Sequence, residues 1–273
     1  MPTADDPQFH AAVVSTTHLS PSLRRIRFAL AEPAAFASSG DPDERLLIEF
    51  GDGHRRSYTV RRWDAGAGRL DIDFAVHAGG AAAEWARAAE PGMPVRLSHP
   101  KGWYRPPADA RWQLLLADLS ALPAAARIVE RLPAGVETRL VAELPEPADE
   151  QDWDTAAELT VTWLHGTGNG HTPSALPRWL REHRLPEGPG YIWSAGETGA
   201  SRQIRRHVRR DLGWATERFD IMGYWQADKE RWLARYAEVE PQIEALTMNE
   251  LSAGRSIDEV RDAVDDALEQ AGL

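Results

Sequence analysis

The hydrophobic rhythm of the chain changes near residue 108, and this change limits the folds that it can adopt. Before it, short strand-like runs follow one another, and residues 69–76 alternate Leu, Ile, Phe and Val with other side chains, as in a half-buried strand. After it, Trp112–Ala117 is a continuous apolar run, typical of a strand buried on both faces of a parallel sheet. Helical segments then alternate with further strands. We therefore predict two different architectures in one chain.

The predicted fold has two domains and a tail. Residues 1–107 hold about six short strands, which suit an antiparallel Greek-key β-barrel. Residues 108–240 predict an α/β domain with a parallel sheet, in which ligands bind at the carboxyl ends of the strands. Residues 241–273 predict an acidic helical extension, in which a capping box of Ser256 and Glu259 begins a helix. Two interpretations of this extension stay open: it packs on its own domain, or it covers a cofactor cleft or contacts a partner.

Charge and cysteine content exclude several classes of function. The chain has 273 residues and a net charge of −11, which argues against nucleic acid or an anionic membrane surface as the main partner. No apolar run reaches the ~20 residues that span a bilayer, and residues 1–6 lack signal-peptide features, so we expect a cytoplasmic protein without membrane insertion. Cysteine is absent, so redox chemistry in this chain requires an organic cofactor.

The first candidate motif is Arg56-Ser57-Tyr58-Thr59 on a predicted strand. Because side chains alternate along a strand, Arg56 and Tyr58 project to one face and Thr59 to the other. The guanidinium can fork onto phosphate oxygens while the tyrosine packs against a flat ring, so the pattern suits a ligand that carries both groups. A plain structural strand is an equally open interpretation.

A glycine-containing turn comes one strand later. Residues 77–80 (His-Ala-Gly-Gly) lead into an alanine-rich helix. Without bulky side chains, an anion can approach the amides of the first helical turn, which have no partner within the helix. The turn therefore predicts a pyrophosphate site, with a simple packing helix as the alternative.

Two strand ends of the α/β half carry polar residues. Asp118 and Ser120 follow the first strand, and Gly196 and Glu197 follow the fourth strand and open a basic helix. We expect the apolar side chains of this helix to face the core and its arginines to face solvent, although a glycine turn before arginines also fits an anionic ligand. The apolar set is Ile204, Val208 and Leu212, and the arginines are Arg202, Arg205, Arg206, Arg209 and Arg210.

Residues 165–171 (His-Gly-Thr-Gly-Asn-Gly-His) also follow a predicted strand. The glycine spacing does not match a dinucleotide-binding fingerprint. Two histidines with no nearby carboxylate make a poor metal site, so no metal is expected here. We predict a flexible loop.

The ordered set of motifs resembles the siderophore-interacting protein family, the flavin-dependent ferric-siderophore reductases related to ferredoxin reductases. The similarity is collinear and covers about residues 10–235. It is carried by residues 56–59, 71–77, 80–86, 91–92, 121–124, 191–197, 205–207 and 223–225.

The resemblance implies an FAD-binding barrel followed by a domain that receives NADPH or NADH. The implied contacts to FAD are Arg56, Ser57, Tyr58, Thr59, His77, Ala78, Gly80, Ala82, Ala83 and Trp225. The implied contacts to NAD(P)H or substrate are Asp118, Ser120, Gly196, Glu197, Lys101, Arg105, Arg202 and Arg206. The flavin carries the chemistry in this family, so no catalytic residue is assigned.

Several positions depart from the family pattern, chiefly on the nucleotide side. The first loop of the second domain usually reads Gly-Asp-Glu-Thr, whereas residues 117–120 here are Ala-Asp-Leu-Ser. Met93 and residues 98–102 also differ. We therefore predict FAD binding with weak affinity for NAD(P)H, or a different donor such as a ferredoxin-like protein.

The resulting prediction is flavin-dependent reduction of a ferric siderophore, Fe(III) to Fe(II), which releases iron in the cytoplasm. A general NAD(P)H:flavin oxidoreductase and a non-catalytic ferric-siderophore binding protein stay open as alternatives. Bound flavin separates the binding protein from either enzyme, and acceptor preference separates the two enzymes.

Overall fold

Two sheets follow one another along the chain, as the sequence predicts. The computed structural model describes residues 8–51, 53–77 and 80–273. The predicted contact Ala78 lies outside these residues. The strands of the first sheet are β1 (Gln8–Ser20), β2 (Leu23–Leu30), β3 (Arg45–Glu49), β4 (Arg55–Thr59), β5 (Arg62–Asp64), β6 (Arg69–Ala75) and β7 (Pro94–Lys101).

The first sheet closes into a barrel. Its strands are antiparallel in the order β4-β3-β7-β1-β2-β6-β5. Although β4 and β5 are consecutive in sequence, β4 pairs with β3 at one edge and β5 pairs with β6 at the other. Between them, the amide of Arg61 donates to the carbonyl of Asp71 at 2.9 Å. One chain segment therefore joins both edges, which confirms the predicted barrel.

Alternating apolar side chains fill this barrel. Ile26, Ile48, Ile72 and Leu97 lie on four different strands and are fully buried. Burying each such side chain stabilises the fold by roughly 1.5–3 kcal/mol. Helix α1 (Ala81–Ala88) closes one end of the barrel, where Trp85 stacks on Phe28 with ring centroids 6.4 Å apart.

The second sheet is parallel throughout. It comprises β8 (Trp112–Ala117), β9 (Glu137–Leu144), β10 (Glu158–His165), β11 (Gly190–Glu197) and β12 (Phe219–Trp225). Their order is β10-β9-β8-β11-β12, so the direction of strand progression reverses between β8 and β11. Parallel sheets of this kind bind ligands in the crevice at the carboxyl ends of the strands beside such a reversal. Three helices connect the strands: α2 (Leu122–Val129), α3 (Leu176–Glu182) and α4 (Thr198–Arg206).

Helix α4 differs from its prediction in phase. It begins at Thr198 and is followed by a π-helical turn, His207–Asp211. A π turn takes in more residues than an α turn, so the apolar stripe no longer continues at four-residue spacing. Ile204 and Val208 are buried as predicted, but Leu212 is 38% exposed, and its predicted place in the core is wrong.

The arginines of this segment do not face open solvent as predicted. Two further helices, α5 (Lys229–Ser252) and α6 (Ile257–Gln270), complete the chain, and α6 presents acidic side chains to the arginines. Arg205 lies 2.6 Å from Asp265, and Arg209 lies 3.0 Å from Asp262. Arg206 pairs with Glu269, and Arg210 with Asp266. The extension therefore packs on its own domain, held by charge.

The structure can be compared with the predicted tail at its capping box and at its first residue. The capping box of Ser256 and Glu259 is present at the start of α6. Helix α5 runs without interruption across position 240/241, where the sequence places the start of the tail. The division into three domains stays a prediction.

Buried polar contacts join the barrel to the parallel sheet. Arg127 on α2 is 3% exposed, donates to the carbonyl of Val60 at 2.6 Å and lies 3.5 Å from Glu44. Asp43, also fully buried, accepts from the indole of Trp193 at 3.2 Å. These contacts fix the two sheets relative to one another and so define the cleft between them. Within residues 8–51, 53–77 and 80–273, no helix is both long enough and apolar enough to cross a membrane.

Candidate functional site

Strand β4 places the Arg-x-Tyr-Thr motif at the edge of the barrel that faces the cleft. Tyr58 packs on Phe74 with ring centroids 4.2 Å apart, and burial raises the pKa of Tyr58 to about 12 although the nearby Arg56 opposes this. Arg56 itself is exposed, and its guanidinium donates only to the neighbouring carbonyl of Arg55 among the described residues. Ser57 is exposed between them. The arginine is therefore available to an anion, as the motif predicts.

Thr59 marks the inner end of this strand and meets the second sheet. Its side chain is 4% exposed, and within the described ranges its hydroxyl has no hydrogen-bond partner of normal geometry. The hydroxyl of Tyr224 on β12 lies next to that of Thr59 and likewise has no partner of normal geometry; burial raises the pKa of this phenol, and the contact with the Thr59 hydroxyl opposes the rise. A buried hydroxyl without a partner costs free energy, so a polar ligand atom at this point would be favourable.

A cation stacks between two aromatic rings next to Thr59. Arg45 on β3 pairs in register with Thr59, and its guanidinium lies 4.5 Å from the ring centre of Trp103 and 4.3 Å from that of Tyr224. In the described part of the chain, Arg45 forms no ion pair, and its Nε atom is buried without a partner. Lys101, exposed at the end of β7, pairs in register with Arg45. Among the described residues, Arg45 and Lys101 therefore have no direct ion pair, while the nearby Asp43 and Asp118 act electrostatically on the phenol of Tyr224.

The N-terminus of α1 has the geometry that the sequence predicts for an anion site. Gly80 adopts φ 88° at the N-cap, a left-handed conformation that favours glycine. For the first three amides of α1, those of residues 81–83, the described residues provide no acceptor. Ala82 is half-buried and Ala83 buried, and the ring of His77 lies 3.5 Å from where a Cβ on Gly80 would be.

These features fit FAD, the cofactor implied by the resemblance. The exposed guanidinium of Arg56 and the amides of residues 81–83, for which the described residues offer no acceptor, suit a pyrophosphate. The adjacent hydroxyls of Thr59 and Tyr224 suit the polar atoms of a flavin ring. Which ligand atoms these residues contact stays a prediction.

Asp118 lies at the end of β8, where the strand order reverses. Its side chain is 2% exposed, and burial raises the pKa of its carboxyl group while several hydrogen bonds oppose the rise. One oxygen accepts from the hydroxyl of Ser120 at 2.6 Å, and the other accepts from the indole of Trp225 at 2.7 Å. The two predicted nucleotide contacts Asp118 and Ser120 therefore bond to each other.

Gly196 and Glu197 lie beside Asp118 at the end of β11. Gly196 has φ 155°, and a Cβ there would be 2.7 Å from a carboxylate oxygen of Asp118. Glu197 caps α4 by accepting from the amide of Ala200 at 2.8 Å. Its other oxygen accepts from the amide of Ala227 at 3.3 Å. The side chain of Glu197 therefore holds the local chain together at the rim of the crevice.

The loop of residues 165–171 is more organised than the flexible loop that the sequence predicts. Glu143 is fully buried at the end of β9 and accepts from Thr167 at 3.0 Å and Ser174 at 2.8 Å. Burial raises the pKa of this carboxyl group. Asn169 adopts φ 56° and its side chain accepts from the amide of Leu119 at 2.9 Å. A buried carboxylate, invisible in the loop's own sequence, therefore orders the loop.

Two of the four predicted substrate cations are already paired. Arg105 forms a two-pronged bond to Asp41 at 2.6 and 2.9 Å, and Arg206 pairs with Glu269 on α6. Arg202 is half-buried on α4, and in the described part of the chain it forms no ion pair. Lys101 lies on β7, in register with Arg45 on β3, and β3 separates it from β4, the strand that carries the Arg-x-Tyr-Thr motif.

Sequence reasoning missed Arg45 and Trp103, and it gave Tyr224 less weight than Trp225. Alternation along β12 turns Tyr224 towards Thr59 and Trp225 towards Asp118, so the two rings serve different parts of the cleft. The stack around Arg45 joins three distant segments, and no local pattern announces it. Knowledge of the strand pairing would have pointed to Arg45, because Arg45 is the residue of β3 that pairs with Thr59.

Comparisons with known proteins agree with this geometry. Residues 49–104 match the siderophore-interacting FAD-binding domain, and residues 110–228 match the siderophore-interacting protein family. A siderophore utilization protein from T. fusca has a similar structure, with a TM-score of 0.73 and 30% identity over 81% of this chain and 94% of that one.

Three curated relatives show the same similarity in sequence. An uncharacterized protein of Mycobacterium tuberculosis is 30% identical over 68% of this chain and 71% of its own length. The ferric vibriobactin reductase ViuB of Vibrio cholerae is 29% identical over 64% of this chain and 65% of its own length. The NADPH-dependent ferric-chelate reductase of Escherichia coli is 29% identical over 58% of this chain and 61% of its own length.

The fold, the barrel-edge motif and the matched families lead to one assignment. An antiparallel barrel with an FAD-binding signature precedes a parallel sheet, the arrangement of ferredoxin reductases. FAD is the cofactor of the matched FAD-binding domain. The chain belongs to the siderophore-interacting protein family and is an FAD-dependent oxidoreductase.

Proposed function

We propose that this protein reduces Fe(III) in a ferric siderophore to Fe(II) and thereby releases iron in the cytoplasm. The observation that carries the proposal is the positive charge of Arg45, which lies opposite Thr59, together with Lys101 on the far side of Arg45. Charges in a partly buried cleft act more strongly than charges in bulk water, so the cleft suits an anionic chelate. Two relatives whose names describe ferric-chelate reduction support the same substrate class.

In this proposal, one set of residues binds FAD and another binds the ferric chelate. When bound, FAD would accept two electrons and release them one at a time. Arg56 and the N-terminus of α1 bind the pyrophosphate, Tyr58 packs on the flavin ring, and the hydroxyl of Thr59 bonds a polar ring atom. Arg45 and Lys101 bind the anionic chelate next to the flavin.

The first test is the visible absorption spectrum of the purified protein, with the heat-released chromophore compared with FAD and FMN. We expect FAD at one per chain. A protein that neither contains nor takes up FAD would leave only the alternative of a ferric-siderophore binding protein.

The second test separates the charge of Arg45 from its other effects. Protein reduced chemically under anaerobic conditions is mixed with an anionic ferric tris-catecholate or with an uncharged ferric trihydroxamate. We expect Arg45→Gln to raise the concentration of the anionic chelate needed for half-maximal rate about tenfold, because bonds to charged groups are among the stronger ones. For the uncharged chelate, the concentration needed for half-maximal rate should change little.

Arg105→Gln is the matched control for this test. Arg105 is exposed and already paired with Asp41, so its loss should leave the preference between the two chelates unchanged. An equal effect of Arg45→Gln on both chelates, or no effect on either, would contradict the proposed role of Arg45 in binding substrate.

We also propose that NAD(P)H binds weakly and that a ferredoxin-like protein is a second electron donor. The proposal is supported by Leu119, which is buried at a position where the family usually carries a glutamate. Anaerobic titrations with NADH, NADPH and a reduced ferredoxin compare the donors directly. Rapid and tight reduction of the flavin by either pyridine nucleotide would contradict weak affinity.

A further inference from the structure

The N-terminus of α2 is sealed by the chain itself. In a doubly wound sheet, the helix that follows the strand at the reversal is where dinucleotide phosphates commonly bind. Here the amides of Ser120 and Ala121 donate to a carboxylate oxygen of Asp118, at 2.9 and 3.2 Å. The amide of Leu122 donates to the carbonyl of Asp118 at 3.0 Å, and that of Leu119 to Asn169 at 2.9 Å.

Burial adds to this closure. Leu119 is 4% exposed, and every residue of α2 is buried. Pro123 has no amide hydrogen, and the amide of Ala124 donates to the carbonyl of Ala121 at 3.0 Å. Every amide hydrogen from residue 119 to residue 124 is therefore used within the chain. The carboxylate of Asp118 occupies the position that an external phosphate would take.

The indole of Trp225 extends this closure across the crevice. It starts from the end of β12 and reaches Asp118 at the end of β8, so it passes over the end of β11, which lies between them. Its far edge lies 3.6 Å from where a Cβ on Gly170 would be, in the loop that follows β10. The ring therefore spans the carboxyl edge of the sheet at the point where the strand order reverses.

We propose that Asp118 and Trp225 form a latch that closes the pyridine-nucleotide crevice and sets the affinity for NAD(P)H. Asp118 is a positioning residue: its second oxygen holds the indole in place by accepting from Nε1. NAD(P)H engages the crevice only when the indole moves away. The apparent affinity of the nucleotide is reduced by the fraction of molecules in which the latch is open.

This inference rests on NAD(P)H as a ligand and not on the ferric chelate. Reduction of the chelates, as tested above, starts from chemically reduced protein and needs no nucleotide. Failure of the latch and failure of the proposed substrate can therefore be told apart.

The decisive variant is Asp118→Asn. The amide oxygen can still accept from Ser120 and Ala121 and so keep the cap of α2, whereas the amide nitrogen would face the indole N–H, donor against donor. We expect the dissociation constant of NADP⁺ or NAD⁺, measured by calorimetry on the oxidised holoprotein, to fall about tenfold or more, because a bond to a charged acceptor is lost only in the closed state.

A spectroscopic measurement reports the latch without any turnover. In protein labelled with ¹⁵N-tryptophan, the Nε1–H resonance of Trp225 is identified by its loss in Trp225→Phe. We expect this proton to be protected from solvent exchange in the unmodified chain, and to lose protection in Asp118→Asn and on addition of NADP⁺.

Trp153→Phe is the matched control. It removes an indole hydrogen bond elsewhere in the same half of the chain, the one that Trp153 donates to Gln151 at 3.3 Å, and leaves the bond between Trp225 and Asp118 in place, so it should change neither nucleotide affinity nor the Trp225 indole resonance. Trp225→Phe removes the bond from its other side and should also tighten nucleotide binding. It keeps the test decisive if Asp118→Asn folds poorly.

Two results would overturn the latch. Weaker nucleotide binding in both Asp118→Asn and Trp225→Phe would mean that the held indole is a platform on which the nucleotide stacks. Unchanged affinity in both variants, or an indole proton that stays protected when NADP⁺ is bound, would mean that the contact is structural only.

Discussion

At the scale of single residues, burial raises the pKa of several carboxyl groups in the α/β half. The pKa values of Asp118, Glu143 and Asp220 are all raised, with loss of hydration the largest cause in each case. Hydrogen bonds oppose the rise, such as the one that Tyr191 donates to Asp220 at 2.7 Å. A carboxyl group of raised pKa lowers stability once it ionises. Keeping these carboxyl groups buried therefore lowers the free energy of unfolding at neutral pH.

Asp220→Asn should remove one pH-dependent part of this cost. The pKa of Asp220 rises from 3.8 to about 6, so between these values the native state binds more protons than the unfolded state. On account of this group, the free energy of unfolding falls as the pH rises from about 4 to about 6. Urea unfolding at about pH 4 and about pH 6 should show a smaller fall in the free energy of unfolding for Asp220→Asn than for the unmodified protein. An identical fall in the two proteins would contradict the assignment to Asp220.

At the scale of elements, the contact between α4 and α6 shows how charge can replace apolar packing. The Arg205–Asp265 pair is largely buried, with side-chain exposures of 11% and 18%. Arg205 also donates to the carbonyl of Ile221 on β12, at 2.8 Å. Partly buried pairs with additional hydrogen bonds are screened less by salt than exposed ones. Four arginines of α4 and the π-helical turn therefore bind the chain's own tail rather than an external anion: Arg205, Arg206, Arg209 and Arg210.

Asp265→Asn should weaken this contact measurably. Removing one partner leaves the guanidinium of Arg205 without its counter-charge in a mostly buried site, so we expect the free energy of unfolding to fall by roughly 2 kcal/mol. The control is Glu187→Gln, because the Arg184–Glu187 pair is 85% and 87% exposed and such pairs contribute about 0–1 kcal/mol. Equal effects in denaturant unfolding would show that the α4–α6 pairs behave as surface pairs.

At the scale of the whole molecule, a buried cation joins the two sheets. Arg127 comes from the helix after β8 and reaches the barrel, where it meets the carbonyl of Val60 and the carboxylate of Glu44. Burial lowers the pKa of Arg127, and Glu44 partly offsets this effect. The cleft lies between the same two sheets, so its shape depends on this joint.

Arg127→Ala should destabilise the molecule as a unit. It leaves Glu44 buried without its counter-charge, so we expect the free energy of unfolding to fall by roughly 3–5 kcal/mol. Arg131→Ala is the control, since Arg131 lies one turn further on and makes an exposed bond to the carbonyl of Gly40. If the two variants unfold at the same denaturant concentration, the buried joint is not a main source of stability.

Much of the fold follows from local pattern. The continuous apolar run of Trp112–Ala117 predicts a buried parallel strand, which is present. Strict alternation in residues 69–76 predicts a half-buried strand; the strand is present, but it is buried on both faces, because Asp71 and Asp73 are covered by their ion pairs with Arg27 and Arg25. The family and its cofactor also follow from short motifs in a constant order. These features depend on neighbours in the chain, which is why the amino-acid sequence alone is sufficient for them.

Which side chains of the site are already bonded to one another depends on contacts between distant segments, and only the tertiary structure decides these contacts. Asp118 and Trp225 are 107 positions apart, and Arg205 and Asp265 are 60 apart. The sequence determined which groups are available: a carboxylate after β8, arginines on α4 and aromatic rings on β12. Packing determined which of them are already bound to one another, because ion pairs and hydrogen bonds form between whichever groups the folded sheets and helices bring within reach.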